Sequence, residues 1–237
     1  MPQTILITGA SNGIGYQTAL KLAVENNIVI AVARNKTKLK QLHVETIRQN
    51  PNAQLHLIAF DLSADYRKSL LEELSKLKVV QLDCLINNAG LLINKPFEQL
   101  QLKDFKKVYD VNVFAPAILI QTVLPLLEKS ENAHIVNISS MGGVQGSSKF
   151  AGLSAYSSSK GALITLTECL AMELASKNIK VNCLALGGVN TEMLAAAFPG
   201  YEAPLSAKQI SEWIGWFALN GHQFFNGKII PVAVSTP

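Results

Sequence analysis

Charge is scarce in this sequence. Only 16% of its 237 residues are Asp, Glu, Lys or Arg, against about 25% in ordinary soluble domains. The 21 basic and 17 acidic side chains are scattered, so their balance of +4 forms no like-charged block. A nucleic-acid face needs clustered Lys and Arg, which argues against that partner. Long apolar runs are missing too. None exceeds six residues, the length of Ile28–Ala33, far short of the roughly 20 that span a bilayer, so no membrane partner is expected. A strand-like run starts at Thr4, almost directly after Met1, so no secretory signal is expected. The three cysteines, Cys84, Cys169 and Cys183, are far apart and each sits in apolar surroundings. They read as buried, reduced thiols of a cytoplasmic protein. No cluster has metal-ligand spacing, so no metal is expected.

What is present is an apolar chain with a repeating order. Hydrophobic residues make up 49% of it, enough for a large core. Strand-like runs at Thr4–Thr8, Ile28–Ala33, Gln54–Phe60, Leu82–Ile86, His134–Ile138, Lys180–Ala185 and Lys228–Val232 alternate with segments of helical periodicity. The runs are continuously hydrophobic, as strands covered on both faces must be, so the sheet is expected to be parallel. Helices are expected over Gly15–Glu25, after Asp61 with Leu70, Leu71, Leu74 and Leu77 on one face, and over Ser154–Ser176. The segment Leu102–Glu128 holds Pro116 and Pro125, which predict a kink or an early stop. No linker or repeat divides the chain. The fold class is therefore α/β: one three-layer, doubly wound Rossmann domain over residues 1–237, with about seven parallel strands and its ligand at their carboxyl ends.

The first run ends in Thr8-Gly9-Ala10-Ser11-Asn12-Gly13-Ile14-Gly15, with a helix following directly. Glycines between a strand and a helix let the backbone approach a pyrophosphate closely, and the helix start presents free N–H groups to that anion. The spacing Gly-x-x-x-Gly-x-Gly resembles that of the short-chain dehydrogenase/reductase family. The resemblance extends to Asp61-Leu62, Asn87-Asn88-Ala89-Gly90, Asn112, Ser139-Ser140, Tyr156-x-x-x-Lys160 and the stretch from Asn182 to Thr191. It covers about residues 3–232.

An acidic residue after the second strand would hold a ribose 2′-OH and select NAD(H), whereas a basic one pairs with the 2′-phosphate of NADP(H). Here the sequence is Ala33-Arg34-Asn35-Lys36-Thr37-Lys38, with no Asp or Glu between Ile28 and Glu45. NADP(H) is thus favoured over NAD(H), with Arg34 as the phosphate fork. The alternative is that Arg34 and the lysines are a solvated helix start. The resemblance implies a dinucleotide site built from Gly9, Ser11, Asn12, Gly13, Ile14, Gly15, Arg34, Asn35, Asp61, Leu62, Asn88, Ala89, Gly90, Tyr156, Lys160, Val189 and Thr191. In it Asp61 meets the adenine amine, and Val189 and Thr191 meet the carboxamide. Asn88 has a second reading, as a brace between strands.

Tyr156 and Lys160 are four residues apart on an expected helix, so their side chains share a face. Carbonyl reduction needs a proton delivered to oxygen as hydride reaches carbon. A free tyrosine has a pKa of about 10, and stabilising its phenolate by about 4 kcal/mol brings that near 7. Tyr156 is the expected acid/base, and Lys160 the ammonium that tunes it and, by resemblance, holds the nicotinamide ribose. Ser140 is expected to orient the substrate oxygen, because Gly143 follows at the family spacing; Ser139 is the alternative. Asn112 matches the family asparagine of a proton relay, or else simply breaks a helix. No Gly-x-Ser-x-Gly elbow is present, and His43, His56, His134 and His222 read as structural or solvated.

Three departures from the family stand out. The interval from Ser140 to Tyr156 is long, so the loop Gly142–Leu153 is expected to bulge over the pocket. Leu186 replaces the proline after the sixth strand. The Asp-Gly-Gly ending is missing, which puts a tetramer contact there in doubt. The substrate cover is a short segment over about residues 188–206, with Met193, Leu194, Phe198 and Tyr201 as pocket or core. The reading is an NADP(H)-dependent oxidoreductase for a small carbonyl or alcohol. Its rivals are a 3-oxoacyl-[acyl-carrier-protein] reductase of the same family and a non-catalytic dinucleotide-sensing regulator. The helices 102–128 and 154–176 correspond to family dimer helices and imply a homodimer or homotetramer.

Overall fold

The structure, a computed structural model, describes residues 2–234. Strands and helices alternate: β1 Thr4–Thr8, α1 Gly13–Val24, β2 Ile28–Ala33, α2 Lys36–Gln49, β3 Gln54–Ala59, α3 Arg67–Lys76, β4 Cys84–Asn87, α4 Leu102–Tyr109 and α5 Ala115–Leu127. There follow β5 His134–Ser140, α6 Ser154–Glu173, β6 Lys180–Leu186, β7 Val189–Asn190, α7 Glu192–Ala197, β8 Leu205–Ser206, α8 Ala207–Asn220 and β9 Ile229–Val232. Seven strands form one parallel sheet in the order β3-β2-β1-β4-β5-β6-β9. The chain reverses direction of travel between β1 and β4, which opens a crevice at their carboxyl ends.

Both faces of the sheet are covered, which is why the strands are apolar throughout. Ile5 and Ile7 pack toward α1, α2 and α8, with Leu22, Leu42 and Phe217 fully buried there. Leu6 points the other way, onto Leu70 and Leu74 of α3 and Leu119 and Val123 of α5. The period-2 alternation of a strand thus serves two cores at once. At one edge, β9 lies beside β6. Cys183 donates to the Lys228 carbonyl and Gly187 to that of Val232, so Pro231 faces outward.

Several expectations are corrected in detail. The helix after Asp61 buries Leu70 and Leu74, but Leu71 is exposed. The long apolar segment does not break at a proline. It runs on through a π turn at Asp110–Phe114 into α5, which holds Pro116 near its start and Pro125 inside it. By length and composition alone, the helical stretch Leu102–Leu127 would suffice to cross a membrane, yet 44% of its most apolar window is buried in the domain. The helix expected to reach Ser176 ends at Glu173, and a 3-10 turn then closes on Asn178 in the left-handed region. Cys84 and Cys183 are buried, but Cys169 is exposed on α6. The short β7-β8 pair had no sequence signal, because two-residue strands carry no periodicity.

His134 is structural. Its ring is fully buried at the start of β5, with Nδ1 3.0 Å from the Ala218 carbonyl and Nε2 3.0 Å from Asn182 Nδ2. Nδ1–H donates and Nε2 accepts, a pattern that only the neutral ring satisfies. Burial, with His222 beside it, lowers its pKa from 6.5 to about 4. The unfolded chain therefore takes up this proton first, so stability is full above pH 6.5 and falls as the pH drops toward 4, by about 3 kcal/mol for this one group. Urea midpoints measured from pH 7.5 to pH 4 are expected to fall accordingly, and His134→Gln is expected to flatten that acid limb. An unchanged limb in the variant would remove His134 as its cause.

Candidate active site

The glycine loop takes the form its sequence demands. Gly9 and Gly13 have φ of +71° and +54°, values that side chains disfavour. A Cβ on Gly15 would lie 2.5 Å from the Gly9 carbonyl and would also strike Asn88 Nδ2. Asn12 occupies the N-cap of α1 without making a capping bond, and no acid stands in the first turn. The first N–H groups of α1 are thus available to an anion, and the cradle has the shape of a pyrophosphate site.

Beside the loop, Thr8 Oγ1 accepts from Asn88 N and Ala89 N at 3.1 and 3.0 Å, and Asn88 Nδ2 donates to the Thr8 carbonyl at 2.9 Å. The Asn88 side chain is therefore spent on bracing β4 to β1. Asn35 caps α2 by accepting from Lys38 N. Asp61 accepts from both the backbone N and the hydroxyl of Ser63. These bonds, with Arg34 nearby, hold its carboxyl below the usual range.

A cleft of about 1310 Å³ runs from this loop to β5 and α6, above the roughly 300–1,000 Å³ of small-ligand sites. Every residue named above for the dinucleotide lines it, together with Ser140. Phe150 and Leu153 of the long loop also line it, and Phe150 meets Phe198 edge-on at 5.9 Å. The loop Gly142–Leu153 thus does form a wall, and it separates the cleft from a second cavity of about 650 Å³. Of the cover residues, Met193, Leu194, Phe198 and Tyr201 all face the cleft. Leu186 extends β6 by one residue and pairs with Val232, so the turn that follows is held by β9 in the absence of a proline.

Ser140, Tyr156 and Lys160 converge on one wall of the cleft. Ser140 ends β5, accepts from Gly142 N at 3.1 Å, and its hydroxyl neighbours the Tyr156 phenol, whose ionised form it favours. Ser139 points away, its hydroxyl donating to the Lys160 carbonyl at 2.9 Å. Gly143 lets this turn lie against α6: a Cβ there would fall 2.6 Å from the Lys160 carbonyl carbon and 2.7 Å from Gly161 N. Lys160 is 4% exposed. Its Nζ donates to the Ile138 carbonyl at 2.8 Å and lies 5.8 Å from the Tyr156 ring centroid.

Burial lowers the Lys160 pKa to about 8, opposed by Cys183 alongside. Burial raises the Tyr156 pKa from its ordinary value, and the neighbouring Ser140 hydroxyl offsets only part of that.

Asn112 does not line the cleft. It is fully buried on the π turn. Its Oδ1 accepts from Leu91 N at 2.8 Å, and its Nδ2 donates to the Leu91 carbonyl and to Ser159 Oγ, both at 2.9 Å. Side-chain atoms of both Asn112 and Lys160 lie 3.6 Å from where a Cβ on Gly90 would stand. Sequence reasoning missed Glu192 and the lysines Lys103, Lys106 and Lys107, which also line the cleft. They belong to segments whose local pattern says nothing of what they face.

A parallel doubly wound sheet with a glycine cradle at its reversal point, and a Ser-Tyr-Lys wall across the same cleft, defines a dinucleotide-dependent oxidoreductase. Comparison with known proteins agrees. The short chain dehydrogenase family matches residues 3–202. An uncharacterized oxidoreductase of Staphylococcus saprophyticus is 30% identical over 207 residues, 87% of each chain. The 3-oxoacyl-[acyl-carrier-protein] reductase of Aquifex aeolicus is 35% identical over 191 residues, covering 80% of this chain and 75% of that protein. The solved structure of a short chain dehydrogenase from Escherichia coli CFT073, complexed with NADPH, superposes with a TM-score of 0.87 at 31% identity, covering 97% of this chain and 95% of that one. The chain belongs to the short-chain dehydrogenase family. It is an oxidoreductase acting on CH–OH groups with a nicotinamide dinucleotide.

Proposed function

We propose that this enzyme interconverts a small carbonyl compound and its alcohol with NADP(H), using Tyr156 as acid/base. The observation that carries the reading is the convergence of Ser140, Tyr156 and Lys160 on one wall of the cleft that the glycine loop opens. A bound nicotinamide would supply the hydride and, when oxidised, a positive charge that favours the phenolate. Ser140 holds the substrate oxygen by hydrogen bonding, and Tyr156 gives its phenolic proton to that oxygen as the C–H bond forms. Burial keeps Tyr156 protonated in the resting site, which suits it to act as the acid in reduction. Lys160 steadies the phenolate that results. Asn112 holds the Leu91 backbone and Ser159 beside Lys160, the place where it would hold the water of a proton relay behind that lysine.

Arg34 supports the choice of NADP(H). It is exposed at the end of β2 and lines the cleft, where its fork can meet a 2′-phosphate. Residues 188–206 form the substrate cover of a single domain, and the exposed Phe114 and Met172 near α5 and on α6 support a homodimer through those helices.

A specific observation favours one named substrate class. Lys103, Lys106 and Lys107 of α4 are exposed and line the cleft. This is the local basic patch that an acidic acyl carrier would need. The test of both readings is a reduction screen with NADPH and NADH over ketones, aldehydes and 3-ketoacyl groups, free and carrier-bound. NADPH is expected to be preferred. A carrier-bound substrate that outperforms its free counterpart, with the advantage fading as salt rises, would select the acyl-carrier reading. No oxidation of either nucleotide across the panel would overturn both.

A further inference from the structure

Asn12 stands where a capping side chain belongs and does not cap. It has the extended backbone of an N-cap, where Asn is among the preferred residues. Instead, its Oδ1 accepts from Lys38 Nζ at 2.7 Å and its Nδ2 donates to Glu192 Oε2 at 2.8 Å. Lys38 Nζ lies 3.4 Å from that same carboxylate oxygen. The glycine loop, the first turn of α2 and the first residue of α7 are thereby closed into one ring. Next to it, Thr191 caps α7 by accepting from Leu194 N at 3.2 Å, and a Cβ on Gly13 would lie 3.2 Å from the Thr191 methyl. The substrate cover is therefore tied to the cofactor cradle by a carboxylate at the end of the cleft where Arg34 and Lys38 supply positive charge.

We propose that Glu192 is a specificity-determining residue, whose carboxylate competes with the 2′-phosphate of NADP(H) for Lys38, so that the phosphorylated dinucleotide releases one strand of the tie and NAD(H) leaves it closed. The proposal rests on the NADP(H) reading above. A phosphate drawn in by Arg34 finds the second cation of this end already engaged. It carries more charge and more acceptor oxygens than a carboxylate, so it wins Lys38, but only against that prior attraction and against repulsion from Glu192 itself. NAD(H) presents a neutral hydroxyl at this point and meets neither effect.

The test is nucleotide binding, followed by fluorescence, for the wild type, Glu192→Gln, Lys38→Met and the double variant. Glutamine keeps an oxygen for Asn12 Nδ2 and removes only the charge. The side chains of Glu192 and Lys38 are 76% and 34% exposed, so folding is spared. Glu192→Gln is expected to lower the Kd for NADPH roughly three- to fivefold, in keeping with the strength of exposed ion pairs, and to leave that for NADH unchanged. In the Lys38→Met background the same substitution is expected to have a smaller effect, because only direct repulsion by the carboxylate is then removed. Equal changes for both nucleotides, an unchanged NADPH Kd, or a gain undiminished without Lys38 would each overturn the competition. A wild type that binds NADH as tightly as NADPH would instead overturn the cofactor reading on which it rests.

Discussion

Tyr156→Phe is expected to reduce turnover by about 10²–10⁴-fold, the usual contribution of a positioned acid/base, while the Kd for the dinucleotide stays unchanged. The substitution removes one oxygen. The ring remains packed above Lys160, and Lys160 keeps its bond to the Ile138 carbonyl, so the cradle is left intact. What is lost is the donor beside Ser140. Steady-state rates and a separate binding titration distinguish the two effects. A variant that keeps full turnover would end the role assigned to Tyr156, and one that loses nucleotide binding equally would assign it to the cradle instead. The same residue sets a pH dependence. Because burial raises the phenol pKa and lowers that of Lys160 to about 8, reduction keeps its acid form through neutrality and should fade on the alkaline side.

Gly143→Ala is expected to be nearly as damaging, although its side chain would touch no substrate. The added methyl meets backbone atoms of Lys160 and Gly161 at 2.6 and 2.7 Å, and backbone cannot rotate away as a flexible side chain can. The turn after β5 must lift off α6, carrying Ser140 away from Tyr156. A misplacement of about 1 Å in a reacting site can cost on the order of 10²-fold. A fall in kcat of that order, with nucleotide Kd retained, is the expected outcome. Wild-type kinetics would show that the turn has room, and the argument for glycine at this position would fail.

The parts of the site that lie within one local segment were legible in the sequence. The glycine loop, Arg34 and the Tyr156-Lys160 pair are each written into a few consecutive residues, and backbone geometry alone carries them to the cleft. The fold, and not the local sequence, separates the two serines: the Ser139 hydroxyl is bonded to the Lys160 carbonyl, whereas that of Ser140 accepts from Gly142 N. Asn112 was legible as a position but not in its surroundings. Its bonds to Leu91 and Ser159 span 21 and 47 residues and depend on a π turn that no periodicity announces. Glu192 was hidden more deeply, since its partner Asn12 is 180 residues away. The burial that raises the tyrosine pKa was not legible, because a spacing rule counts the neighbouring ammonium and cannot count the surroundings of the phenol. In the fold, the strands were legible because both faces are covered. Cys169 was not, because an apolar neighbourhood in sequence does not tell which side of α6 a residue takes.

Pro231 determines how this sheet ends. On the outer side of β9 the hydrogen-bonding groups belong to Ile229 and Pro231, and proline has no N–H to offer. A strand arriving from another molecule would find half of the donors it needs, so the edge makes a poor template for continued pairing. At this edge the sheet is thus protected from growing by edge-to-edge aggregation. Any copy of the enzyme that joins at this side must do so through side chains and helix faces, which leaves the ladder of seven strands, and the crevice at its centre, unperturbed by assembly.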